Sequence, residues 1–222
     1  MDTQDKLDLT AIWDTPGEHH GVLQGEVGML DARCVIPEEK TTPYVAILGH
    51  PHSLKGGSMQ NKVVTTLTRA FREKGIPSLR FNFRGVGVSE GTYDAGMGES
   101  DDMVLIAKQL QAIHPDAILL FAGFSFGSFV AYRAAAQMPH GLLLTVAPPV
   151  NHFDFTAFEV APKPWLLLQG DQDEVIPSNL VLEFAEGRKI SVLEFEETGH
   201  FFHGKLMHMK QRVQDMLDDL LV

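Results

Sequence analysis

Six short apolar runs recur along the chain, with segments of helical pattern between most of them. They are YVAILGH (44–50), SLRFNF (78–83), AILLFAG (117–123), GLLLTVA (141–147), PWLLLQG (164–170) and ISVLEFE (190–196). Runs of this length suit strands buried on both faces. Between them, Val63, Val64, Leu67 and Phe71 form a stripe that ends at Gly75 and Pro77. Ser100 is placed to cap a helix whose first turn holds Asp101 and Asp102, with Met103, Ile106, Leu110 and Ile113 on its buried face. Leu206, Met209, Val213, Met216, Leu217 and Leu220 mark a last amphipathic helix. Alternation of this kind predicts right-handed βαβ units and a mostly parallel sheet with helices on both faces. GVLQGEVGMLDARCVIP (21–37) reads as an antiparallel pair at the sheet edge, which brings the total to about eight strands. The segment before Gly21 has no role that the pattern assigns.

The 222 residues suffice for one sizeable core, and no linker, charge block or repeat divides them, so a single α/β domain over 1–222 is expected. A net charge of −11, with Lys and Arg scattered, disfavours a nucleic-acid or anionic-membrane partner, which would need a basic face. The acidic start, MDTQDKLDLTAIW, has no apolar signal core, and the longest apolar stretch, 117–124, is too short to span a bilayer. Cys34 is alone and sits in a strand-like run, as a buried thiol would. The expectation is a cytoplasmic protein.

In open α/β sheets, ligands bind beyond the carboxyl ends of the strands. The run 117–123 ends there in Gly123-Phe124-Ser125-Phe126-Gly127 and resumes as a helix rich in small residues, Ser128, Ala131, Ala134 and Ala135. A serine nucleophile must project its hydroxyl clear of the backbone, and a tight strand-to-helix turn does this by straining the serine. Side chains two residues to either side would collide there, so glycine is needed at both. The bland alternative is that Ser125 is a helix N-cap. Context favours the nucleophile, because the motif closes a strand and opens a helix.

Ser125 then needs a base and the base an orienting carboxylate. Among ten histidines, His200 stands out by position, in a loop opened by Thr198-Gly199 after the last apolar run. His203 falls on or near the following helix; a metal site with His200 would lack a third ligand. Asp171 and Asp173 both lie just past the run ending at Gly170. Asp173 reaches further round the turn, whereas an aspartate at 171 suits turn stabilisation. The spacing by itself prefers Asp173 only slightly.

The order Ser125, Asp173, His200 is that of the α/β-hydrolases. From about Tyr44 onward the chain resembles that superfamily, and within it a small lidless group of serine hydrolases and esterases related to dienelactone hydrolases. The resemblance is carried by GHPHSLKGGSMQNKVV (49–64), FNFRGVGVSEGTYDAGMGESDD (81–102), GFSFG (123–127), GDQDEVIP (170–177) and GHFFHG (199–204). It implies that Asp173 is the triad acid and His200 the base. It also implies an oxyanion hole built from the Phe126 N–H and an N–H of the loop after the 44–50 strand. Pro51 has no N–H to give, so His52 is the candidate and Ser53 the alternative. His50 and His52 read better as turn-shaping residues than as a metal pair.

Glycine-rich RGVGVSEG (84–91) has the spacing of no dinucleotide fingerprint and falls in a loop that the resemblance places at the rim of the site. Of the clustered phenylalanines, Phe126 and Phe201 adjoin Ser125 and His200 and are candidates to line an acyl pocket, with Phe201 as the substrate-binding residue. Only residues 148–163 separate two strands at the place where lids are inserted, too few for a cap domain. The expectation is a serine hydrolase of carboxylic esters acting on a small-molecule ester or other acyl substrate, without cofactor or metal. A peptidase or thioesterase with the same triad, or a non-catalytic binding protein on the same fold, are the rivals. Oligomeric state is not encoded in any feature above.

Overall fold

The computed structural model describes residues 5–158, 162 and 164–220. Eight strands form one sheet: β1 Gly17–Gln24, β2 Met29–Ile36, β3 Tyr44–Gly49, β4 Ser78–Phe81, β5 Ile118–Phe124, β6 Leu142–Val146, β7 Trp165–Gly170 and β8 Val192–Phe195. Their spatial order is β1-β2-β4-β3-β5-β6-β7-β8. β1 pairs antiparallel with β2, and β2 with β4; every other pair is parallel. The fold is that of an α/β hydrolase, and the described residues between β6 and β7 contain no helix that could serve as a lid.

Alternate side chains of the central strands feed two cores. Ile47, Phe121, Leu143 and Leu167 face one side, while Leu48, Leu120, Leu144 and Leu168 face the other. Such pairing of faces explains why these strands read as continuous apolar runs with no polar alternation. The first core is closed by α3 (Met97–Ile113), α4 (Phe126–Ala135) and α5 (Ser178–Arg188), and the second by α2 (Lys62–Glu73) and α6 (Leu206–Leu220). Leu67 and Val213 are fully covered where α2 and α6 meet the sheet; burying each such side chain stabilises by roughly 1.5–3 kcal/mol. Cys34 is buried in β2, and burial pushes its thiol pKa up to about 12.

Two boundaries differ from the sequence reading. β1 begins at Gly17, four residues before Gly21, because Glu18, His19 and His20 continue the ladder to Val35, Cys34 and Arg33. α3 begins at Met97, and Ser100 lies inside it with its hydroxyl bonded back to the Gly96 carbonyl. The cap is built by Glu99, whose carboxylate accepts from the N–H groups of Asp94 and Gly96, both at 2.8 Å. Asp102 is buried and receives the Arg84 guanidinium at 2.8 Å.

The N-terminal segment covers the edge of the sheet. Lys6 bridges to Val22, Leu7 and Leu9 are buried, and Asp8 caps the short helix α1, Leu9–Ile12. An edge strand covered in this way is shielded from pairing with another chain. Among the described residues, no helix is long and apolar enough to cross a membrane.

Candidate active site

The carboxyl ends of β5, β7 and β8 lie together because these strands run parallel, and the loops after them carry Ser125, Asp173 and His200. Ser125 sits at φ 52° and ψ −121°, a strained conformation for a residue with a Cβ. Its N–H is held by the Val146 carbonyl at 2.8 Å. Two glycines make the turn possible. A Cβ on Gly123 would come within 2.0 Å of the Gly127 carbonyl oxygen, and one on Gly127 within 2.3 Å of the Gly49 backbone. Gly127, in the first turn of α4, thereby lies against the end of β3 and the His50 carbonyl.

His200 Nε2 lies 3.1 Å from Ser125 Oγ, and His200 Nδ1 lies 2.8 Å from Asp173 Oδ2. All three residues are buried, with His200 only 3% exposed. Asp173 is held from several directions. Its Oδ1 accepts from the Val175 and Ile176 N–H groups at 2.9 and 2.7 Å, and its Oδ2 also accepts from Gln169 Nε2 at 3.1 Å. Burial opposes ionisation of Asp173, but the hydrogen bond from His200, the two N–H bonds and the attraction of the imidazole outweigh it. The net effect holds the carboxyl below its ordinary pKa. An ionised Asp173 accepts only, so Nδ1 of His200 must donate, and Nε2 of the neutral ring is left to accept from the Ser125 hydroxyl.

The other acidic residues of the GDQDE turn (170–174) hold the backbone of the His200 loop. Asp171 Oδ1 accepts from the Thr198 N–H at 3.0 Å, a bond that depresses its pKa. Glu174 accepts from the N–H of His200 itself at 3.1 Å. Glu174 escaped the sequence reading, although it directly follows Asp173.

Phe126 is the first residue of α4, so its N–H is one of the amides that an α-helix leaves without an internal partner. His52 precedes a 3-10 turn, Ser53–Lys55. Neither backbone N–H has a hydrogen-bond partner among the described residues. Both residues line a cleft of about 410 Å³ that also contains Ser125, His200 and Phe201, whereas Ser53 is not part of its wall. Phe201 is 40% exposed at the mouth, while Phe121, Phe124, Phe129 and Phe202 are buried core.

His50 is a brace. It is fully buried; its Nδ1 meets the Pro51 carbonyl at 2.6 Å and its Nε2 accepts from the Phe83 N–H at 2.9 Å. With both nitrogens occupied, it has none for a metal. Burial pushes its pKa down to about 4, against a weaker opposing effect of the Pro51 carbonyl. His52 packs on Tyr93 and Phe126, with ring centres 5.0 Å apart in each case, and its Nε2 lies 3.2 Å from the Tyr93 hydroxyl. Nothing in the sequence pointed to Tyr93, which lies in the loop after β4. His203 lies before α6 and does not line the cleft. Among the described residues, no three His, Cys, Asp or Glu side chains cluster as metal ligands.

No family model matches the chain. An uncharacterized protein of Rickettsia prowazekii is 32% identical over 205 residues, covering 87% of this chain and 86% of the relative. Among solved structures, the lidless α/β serine hydrolase XC6422 of Xanthomonas campestris is 40% identical with a TM-score of 0.88, over 93% of this chain and 96% of that one. An α/β serine hydrolase homologue from Coxiella burnetii is 37% identical with a TM-score of 0.86, over 90% and 97%.

Proposed function

The chain belongs to the α/β serine hydrolases that carry no lid, and on that premise we propose that it hydrolyses carboxylic esters with Ser125 as nucleophile, His200 as base and Asp173 as the orienting acid. The observation that carries the reading is His200, which bridges Ser125 and Asp173 through its two ring nitrogens. Ser125 Oγ bonds to the ester carbonyl carbon as its proton passes to His200 Nε2. The carbonyl π pair moves to oxygen, where the Phe126 and His52 N–H groups receive it. The intermediate collapses, the C–O bond to the alcohol breaks, and the alcohol leaves with the proton from His200. Water, deprotonated by His200, then attacks the acyl-enzyme, and the acid and Ser125 are released.

The position of β5 rules out one way of binding a peptide substrate, by strand addition beside Ser125. It is paired on both sides, by β3 and β6, so it offers no free strand edge on which an extended peptide could align. Phe153, Ile176 and Phe201 give the cleft apolar wall suited to an acyl chain.

The test is turnover of 4-nitrophenyl acetate, compared with an acyl thioester and a peptide anilide. Ester turnover above the other two, reduced by 10³-fold or more in Ser125→Ala and His200→Ala, is expected. Turnover untouched by either substitution would overturn the reading.

A further inference from the structure

The cleft has a charge that the rest of the chain does not. There are 29 Asp and Glu against 18 Lys and Arg, yet among the described residues no Asp or Glu lines the cleft, and Lys55 is its only Lys or Arg. Lys55 closes the 3-10 turn that follows His52. The loop that offers the His52 N–H to a carbonyl oxygen therefore also brings an ammonium group to the same cleft.

Lys40, Lys74, Lys205 and Lys210 each pair with a carboxylate. Lys55, like Lys6, Lys62, Lys108 and Lys189, pairs with none among the described residues, and of these five it is the one that lines the cleft. Asn61, six residues further along the chain and also in the cleft wall, adds a second donor. Its Oδ1 accepts from the Val63 N–H at 2.9 Å as the N-cap of α2. That bond fixes the orientation of the amide, and Nδ2 is left with no partner among the described residues. The positive end of the α2 dipole lies at the same residue. The pKa of the nearby His52 is lowered by burial and then by the Lys55 ammonium.

We propose that Lys55 and Asn61 form a carboxylate-recognising corner, so that preferred substrates are esters bearing an anionic group on the acyl or the alcohol portion. An ammonium and an amide N–H₂ supply a donor for each carboxylate oxygen. The inference rests on the ester reading above.

Two matched pairs test it: the 4-nitrophenyl monoester of adipic acid against its primary amide, and 4-acetoxyphenylacetate against its primary amide. The readout is the acid-to-amide ratio of kcat/KM. Lys55→Met removes the charge, and Asn61→Asp keeps the helix cap while replacing the N–H₂ by a repelling oxygen. Each should lower the ratio about three- to tenfold for at least one pair, while Lys62→Met, outside the cleft, should leave it in place. Hydrolysis of both pairs with ratios unmoved by Lys55→Met and Asn61→Asp would overturn this inference and leave the ester reading standing. Turnover of 4-nitrophenyl acetate with none of these four esters hydrolysed would overturn this inference alone, and no turnover of any of the five would overturn both.

Discussion

The backbone N–H of His200 donates to the side chain of Glu174 at 3.1 Å, so the turn that holds the imidazole through Asp173 also holds the main chain that carries it. Glu174 is not itself among the residues lining the cleft, and its effect reaches the site through the placement of His200. Glu174→Ala should lower kcat about three- to tenfold with KM little changed. Glu174→Gln keeps an acceptor oxygen and should recover most of the loss. Equal loss in both variants would show that the charge, and not the hydrogen bond, matters.

His50 makes stability depend on pH. In the fold it stays neutral down to about pH 4, whereas in the unfolded chain it takes up a proton near its ordinary value of 6.5. Below pH 6.5 the unfolded state therefore binds a proton that the folded state refuses. Stability present above pH 6.5 is lost as pH falls toward 4, by up to about 3 kcal/mol. Urea unfolding at pH 7 and pH 4.5 measures this loss, and His50→Gln should show less of it. An identical pH dependence in both proteins would contradict the account.

The strand-to-helix turn at Ser125 tolerates no side chain at Gly123. Its added Cβ would meet the backbone oxygen of Gly127, which cannot swing aside, so Gly123→Ala should cost about 3 kcal/mol or more. Gly187, in α5, has nothing within 4 Å of the same added atom. Gly187→Ala should raise stability by about 0.5–1 kcal/mol. The opposite shifts of the urea midpoint are the check.

Asp102 and Arg84 form a buried pair that ties the loop after β4 to α3. Asp102 also accepts from the Glu26 N–H at 2.8 Å. Asp102→Ala leaves the buried guanidinium without a carboxylate, with only the Gly98 carbonyl at 2.8 Å to accept from it, and should cost about 3–5 kcal/mol in thermal or urea unfolding. A loss below 1 kcal/mol would show that water reaches Arg84.

The sheet was readable because strands buried on both faces leave continuous apolar runs, and β3 to β8 fell within two residues of them at each end. Short-range patterns misled where the partner is distant in sequence. Ser100 and Asp102 look like a helix cap and its dipole charge, but Glu99 closes the first turn from inside, and Asp102 belongs to Arg84. His19 and His20 do not look like strand residues, yet the ladder to β2 includes them. Around Ser125, the order of the three polar residues and their places at strand ends were visible. Tyr93 against His52, and Glu174 on the His200 N–H, were not, because each depends on loop paths that no periodicity encodes.

Treatment of the pure protein with a fluorophosphonate, followed by mass mapping of the adduct, tests the central claim most directly. The reagent resembles the tetrahedral intermediate and requires no choice of substrate. Stoichiometric modification at Ser125, lost in Ser125→Ala and strongly slowed in His200→Ala, is the predicted result. A folded protein that takes up no label at Ser125 would contradict the assignment of nucleophile and base.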